Sequence, residues 1–335
     1  MAGGSATKCC GGKIELSGSS IKPDQIFQVV CEKKLMFSMN FFSVIIPVYN
    51  RSHLLRETIN TVLVQSFPYF EIIIVDDGST ENIKQVIDDN FGNEVKVKYF
   101  HKQNEERGAA RNFGLKQAKG DYAVFFDSDD FMKPHYLQML SKIILENPGV
   151  KLLATKYNYD NNGKTEYNPL LEGVPEGWYD QNLFLQGNIL ACNYCIKIKD
   201  HSFKFFPPER ELASMEDWLF LLANLADNKI YIKNEIGVTM RQHDERSMSN
   251  NQKVIEARKK ALEWALNKLK LSADAEKILI ARSHYFCGIH QYLDHKRSAA
   301  IKEAITAVKI EGLKKQFLVL IMKSIVGRKL IRAIR

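Results

Sequence analysis

The sequence predicts an α/β fold: a mostly parallel sheet flanked by helices on both faces, followed by a helical C-terminal region. Short Ile- and Val-rich runs alternate with helical segments from Phe41 onward, and a strand-helix-strand-helix order implies parallel pairing. The runs Ile72-Ile73-Ile74-Val75 and Ala123-Val124-Phe125-Phe126 lack polar alternation, as strands covered on both faces do. After about Val254 the pattern is helical to the end, with polar faces rich in Lys, Arg and Glu.

Residues 1–38 are rich in Gly, Ser and Lys and lack the continuous apolar stretch of a signal peptide. They are expected to be a disordered or non-native leader, with Met39 as the natural start. The first strand is expected over Phe42 to Ile46, a helix over His53 to Val64, a strand over Glu71 to Val75 and a helix over Asn82 to Asn90. Strands at Val95 to Phe100 and Tyr122 to Phe126 enclose a helix over Gly108 to Ala118 that stops at Gly120. A further helix begins near Pro134. The second half reads less regularly. Strands are expected at Lys151 to Tyr159, Asn188 to Ile198, Lys229 to Lys233 and Ile236 to Met240, with a helix near Glu211 to Ala226. This gives one α/β domain over 39–250 and a helical region with a basic amphipathic tail over 251–335.

The chain has 335 residues, 45% of them hydrophobic, and a formal net charge of +8. A phosphate-rich ligand, a nucleic acid or an anionic membrane surface would each suit that charge. No apolar run reaches the roughly 18 to 20 residues that span a bilayer. Six cysteines show no regular spacing, which fits a reducing compartment. Cys192 and Cys195 form a C-x-x-C, but no second ligand pair stands at zinc-site spacing. They are expected to be core cysteines.

The chemistry gathers at strand ends. An apolar strand runs into Asp127-Ser128-Asp129-Asp130, a costly place for negative charge unless a divalent cation neutralises it. Period-two geometry turns Asp127 and Asp129 to one side, and a hard cation held by few carboxylates completes its shell with substrate phosphates. Taken alone, D-x-D also fits a solvated turn capping the next helix. A second acidic exit lies at Asp76-Asp77-Gly78-Ser79, and a third polar exit at Pro47-Val48-Tyr49-Asn50. Asp77-Gly78 alone is a turn, and Asn50 or Ser52 alone a helix cap. Their joint placement beyond one sheet edge marks a ligand crevice.

Together with Arg107-Gly108-Ala109-Ala110-Arg111-Asn112-Phe113-Gly114, these motifs resemble the bacterial-type family 2 glycosyltransferases of the Rossmann-like GT-A fold, most strongly over residues 41–135. The resemblance implies a nucleotide-sugar donor, a UDP-sugar being expected. Pro47, Val48, Tyr49 and Asn50 would wall the nucleotide pocket, Asp76 and Asp77 would hold base or ribose, and Arg111 would face the nucleotide. Asp129 would bind Mn²⁺ or Mg²⁺, with Asp127 assisting on the metal and touching the sugar or ribose. Glu216-Asp217 matches the family's E-D pair, with Glu216 in the substrate site and Asp217 as the general base of an inverting transfer; read alone, the pair also fits first-turn helix acids. In Arg241-Gln242-His243-Asp244-Glu245-Arg246-Ser247, His243 resembles a metal or diphosphate contact, and an ordinary exposed histidine is the other reading. The Q-x-x-R-W motif and membrane spans of processive synthases are absent from the sequence, so single addition is expected.

Gly312 to Arg335 mixes apolar residues with seven bases and no acid. It suits an interfacial helix on an anionic membrane, or a packed helix with a solvated basic face. The expected setting is the cytoplasm, at the inner face of the membrane, with a glycan or lipid-linked acceptor in surface polysaccharide or glycolipid assembly. A nucleotidyltransferase is disfavoured because Pro47-Val48-Tyr49-Asn50-Arg51 lacks that class's glycines. A nucleic-acid binder is disfavoured because basic and aromatic residues do not interleave.

Overall fold

The computed structural model describes residues 40–161, 163–200, 202–243 and 250–327. The expectations for the leader (1–38), for Asp244 to Ser247 and for the last eight residues lie outside that range.

Four strands form the parallel half of a ten-stranded sheet: β1 (Phe42–Val48), β2 (Phe70–Asp77), β3 (Val97–Lys102) and β4 (Tyr122–Phe125), in the order β3-β2-β1-β4. Every residue of β1 and β2 is buried, which is why these strands read as unbroken apolar runs. Register pairs Val48 with Asp76 and Ile45 with Phe125, so β1, β2 and β4 open their carboxyl ends on the same side. The flanking helices are α1 (Ser52–Leu63), α2 (Ile83–Phe91), α3 (Glu106–Gln117) and α4 (Tyr136–Glu146). Helix α3 lies close on the sheet: a Cβ at Gly114 would stand 2.4 Å from the Ile45 side chain.

The other half is mixed. Strand β9 (Cys195–Lys197) runs antiparallel between β4 and β6 (Leu152–Asn161), β6 pairs in parallel with β10 (Ile230–Arg241), and β5 (Phe131–Met132) is antiparallel to β10. Two short strands, β7 (Lys164–Tyr167) and β8 (Gly177–Tyr179), pair antiparallel with β6 and β10. The strand expected over Asn188 to Ile198 shrinks to three residues. Asn188 takes Leu190 N–H on its side-chain oxygen and donates to the Ala191 carbonyl, while Ala191 sits at φ 49°. Such an asparagine turn competes with the strand ladder. The two strands expected between Lys229 and Met240 are one, β10, irregular between Lys233 and Val238. Gly237 fits there because a Cβ would come within 2.2 Å of the Tyr136 ring.

A short helix, α5 (Pro169–Glu172), precedes α6 (Glu216–Asn224), in which every residue from Trp218 to Asn224 is buried. Phe206 stacks on Phe220 at 4.2 Å and meets Phe125 edge-on at 4.8 Å, so an aromatic layer fixes α6 against the end of β4. The C-terminal helices are α7 (Asn251–Lys268), α8 (Ala273–Leu293), α9 (Arg297–Glu311) and α10 (Lys315–Val326). The boundary expected at 250/251 marks a change of architecture and not of core, since Val254, Ala261, Ala265 and Leu279 join the main hydrophobic core. Ala281, Ala307 and Phe317 form a small second cluster.

Arg258 of α7 links the two regions. Its guanidinium lies 3.6 Å from the Trp218 ring centroid and donates to Ser283 Oγ and to the Gln186 carbonyl. Burial brings its pKa down to about 9. Most of what Arg258 contributes is therefore packing on Trp218, and the desolvated charge offsets part of it. Arg258→Ala is expected to cost about 3 kcal/mol, and Arg258→Met much less, in thermal or urea denaturation. Equal losses would show that the two hydrogen bonds dominate.

Candidate active site

The carboxyl ends of β1, β2 and β4 and the start of α6 enclose a cleft of about 700 Å³. Pro47, Val48, Tyr49, Asp77, Arg111, Asp127, Asp129, Glu216 and Asp217 all line it. Residues from opposite ends of the domain thus meet in one place.

Asn50 and Asp76 were expected in the pocket and are not among its lining residues. Asn50, at φ 57°, is followed by Arg51 at φ 63°. The Asn50 side-chain oxygen accepts from the Thr80 N–H and hydroxyl, and its own N–H donates to Ser79 Oγ. It locks the β1 exit to the β2 exit. Asp76 accepts from Ser79 N–H at 2.9 Å, Tyr99 OH at 2.7 Å and His101 Nδ1 at 3.1 Å. Burial opposes its charge, but these donors outweigh burial and hold its carboxyl below the usual range. Both residues are spent on shaping the loop. Asp77 does reach the cleft, where it accepts from Lys102 Nζ at 2.8 Å and Glu105 N–H at 3.0 Å.

The centre of the site is an ion cluster. Arg111, only 1% exposed, donates through Nη1 to Glu216 Oε1 at 2.6 Å and through Nη2 to Asp127 Oδ1 at 2.7 Å. It lines the cleft, as expected of a residue facing the nucleotide, and it also ties the acidic end of β4 to the start of α6. Asp129 Oδ2 lies 2.8 Å from both Arg51 Nη1 and His243 Nε2. Asp127, Asp129 and Asp130 each offer an oxygen within 4.8 Å of the others'. A group of carboxylate oxygens suits a hard divalent cation. The structure thus brings together Asp127, Asp129 and His243, the residues expected at the metal, and adds Asp130.

Across the cleft, burial and the neighbouring Asp217 charge raise the Glu216 pKa to about 7, with Arg111 opposing. Asp217 is raised too, by burial first, against the pull of Arg111. Its Oδ1 accepts from Trp218 N–H at 2.7 Å and its Oδ2 from Asn188 Nδ2 at 2.9 Å. Two donors therefore fix the orientation of an acid that burial makes more basic. Cys192 also lines the cleft, where burial pushes its thiol well up.

Sequence reasoning missed Asn188, which it placed in a strand, and also the arginines on the cleft wall. Arg51 and Arg241 flank the acids, and Arg210 donates to Glu106 and Asn104. Their one signal is position: each stands beside a motif that was recognised.

The acid-bearing strand ends face an acid-bearing helix across the cleft of a GT-A-type α/β fold. Residues 43–203, just under half of the chain, match the family model described as glycosyl transferase family 2. It is 39% identical over 144 residues to an uncharacterized glycosyltransferase of Rickettsia conorii, covering 43% of this chain and 23% of that protein. It is 32% identical over 206 residues to TarS of Staphylococcus aureus, a poly(ribitol-phosphate) beta-N-acetylglucosaminyltransferase, covering 57% and 34%. The chain therefore spans a minor part of each relative's length. The crystal structure of TarS residues 1–349 with UDP-GlcNAc aligns at a TM-score of 0.60 and 22% identity over 84% of both chains. The mannosyltransferase PcManGT of Pyrobaculum calidifontis, with GDP-Man and Mn²⁺, aligns at 0.55 and 14% identity over 88% of this chain and 83% of that one. At those identities the two structures show a shared fold.

Arg111→Met would leave the buried Glu216 and the half-buried Asp127 without their cation and is expected to cost about 3 kcal/mol. The sign of its pH dependence follows. Carboxyls whose folded pKa is raised above the unfolded value destabilise the fold once ionised, so the deficit is fully expressed at pH 8. It shrinks as pH falls through the raised pKa, since protonation relieves the penalty. Urea titrations at pH 8 and pH 6 check this; a deficit that grows toward pH 6 would contradict it.

Proposed function

We propose that this chain transfers a sugar from a UDP-sugar donor to an acceptor hydroxyl, with inversion and one addition per encounter, in the assembly of a surface polysaccharide or glycolipid. The observation that carries the reading is Asp217, a lone oriented carboxylate made basic by burial, across the cleft from Asp127 and Asp129. The TarS similarity supports UDP as the nucleotide and makes UDP-GlcNAc the first donor to screen.

Pro47, Val48, Tyr49 and Asp77 line the place for the nucleoside. Asp127, Asp129, Asp130 and His243 would hold Mn²⁺ or Mg²⁺, which when bound neutralises diphosphate charge and stabilises the leaving group. The Arg107 side chain, on the cleft wall, acts on Glu216 through its charge and would meet an anionic substrate group. Asp217 takes the proton of the acceptor hydroxyl as its oxygen attacks the anomeric carbon, on the side opposite the departing nucleoside diphosphate. Asn188 and the Trp218 N–H keep the carboxylate turned toward that hydroxyl. Glu216 holds Arg111, and so holds Asp127.

Asp217→Asn keeps the shape and removes the base. It is expected to lower kcat by about 10²- to 10⁴-fold while donor binding changes by less than about threefold, measured by release of UDP from UDP-GlcNAc and by calorimetry. Unchanged turnover would assign the base elsewhere. In the native protein kcat/KM is expected to fall as pH drops through the raised Asp217 pKa, because the base must be ionised to accept a proton. This acid limb should lie above the range of an ordinary aspartate and disappear in Asp217→Asn. A profile flat through that region would contradict the role.

A further inference from the structure

Helix α10 has two apolar faces. One is occupied: Phe317, Leu320 and Ser324 are buried, and Phe317 packs on Tyr285 and beneath the Arg282 guanidinium. Arg282 is in turn clamped by both oxygens of Glu311. The opposite face should be polar in a helix lying on a protein surface. Instead it presents Leu318 (40% exposed), Val319 (36%), Met322 (63%), Ile325 (64%) and Val326 (40%) to solvent, with Leu313 (75%) just before the helix.

This stripe cannot turn inward. The other side of α10 is packed, and its end is pinned where Arg297 Nη2 donates to the Val326 carbonyl at 3.0 Å. Residue 327 is Gly, at a φ of +84° that favours glycine. The helix thus lies on the protein with an apolar row facing out.

Charge selects what covers the row. Lys314 and Lys315 stand at its start and Lys323 along its side, and all three are exposed. No Asp or Glu occurs from Gly312 to Arg335, and the sequence continues with Arg328, Lys329, Arg332 and Arg335. Protein interfaces are depleted in lysine. An anionic bilayer rewards it, since lysine stems lie along the apolar boundary while the ammonium groups meet the headgroups. Among the described residues no helix is long and apolar enough to cross a membrane, so attachment through this face would be peripheral.

We propose that α10 docks this protein on an anionic lipid surface, with Leu318, Met322 and Ile325 entering the acyl boundary and Lys314, Lys315 and Lys323 contacting headgroups. The inference is independent of the donor chemistry. The test is co-sedimentation of the full chain with phosphatidylcholine vesicles, with and without about 30% phosphatidylglycerol. Anionic vesicles are expected to bind at least tenfold more protein than neutral ones, and raising salt to about 0.5 M should weaken binding severalfold. Met322→Glu with Ile325→Glu is expected to lower binding at least tenfold while the melting temperature and nucleotide binding stay as in the native protein. Lys314→Glu with Lys315→Glu and Lys323→Glu should abolish the preference for anionic vesicles. Vesicle binding unaffected by the glutamates would overturn the proposal. So would no vesicle binding together with self-association in sedimentation velocity that the same glutamates abolish, which would assign the stripe to a second copy of the chain.

Discussion

The site depends on one buried guanidinium. Arg111, projected from α3, bonds Asp127 at the end of β4 and Glu216 at the start of α6, two elements about ninety positions apart in the chain. Several acids crowd one cleft, and without a buried cation their repulsion and desolvation would drive strand end and helix apart. With it, the acid group on one side of the cleft and Asp217 on the other are held in fixed relation. Burial of Glu216 beside Asp217 raises the proton affinity of both carboxyls, as the proposed base would need.

The scaffold around that cluster serves to keep it in place. Parallel register of β1, β2 and β4 brings their carboxyl ends to one edge. The stack of Phe125, Phe206 and Phe220 sets α6 against β4 from below, and Arg258 grips Trp218 from the C-terminal helices. Of those helices, α7 and α8 share the main core, so they brace α6. The left-handed Asn50 and Arg51 are held by the Ser79 to Glu81 loop, and Arg51 is thereby delivered to Asp129. Strain of this kind persists where surrounding bonds over-determine the backbone.

The parallel half was legible because two-sided burial leaves a mark in sequence: β1 and β2 read as apolar runs ending abruptly in polar residues. The acids at 127 and 129 were legible for the complementary reason, that charge at the end of an apolar strand is costly unless used, whereas Glu216 and Asp217, which the helix dipole favours in a first turn, were legible only through the resemblance. The antiparallel half was harder. Strand β9 is three residues long, and the apolar residues before it, including Leu190 and Cys192, are buried by turns that Asn188 organises. A run of buried side chains does not reveal whether its backbone is extended. The division of labour among polar residues was also hidden. Asn50 and Asp76 stand in the motifs, yet they lie outside the cleft lining and their side chains bond neighbouring protein groups, an arrangement that the sequence does not reveal.

The central claim is that the acids of β4 create a metal-dependent nucleotide site. It is tested most directly by calorimetric titration of UDP, with GDP and dTDP as controls, into the native protein and Asp129→Ala, each with and without Mn²⁺. The account predicts that UDP binds in preference to the other two, that binding requires the metal, and that Asp129→Ala abolishes it. Nucleotide binding that is indifferent to Mn²⁺ and unchanged in Asp129→Ala would contradict the account.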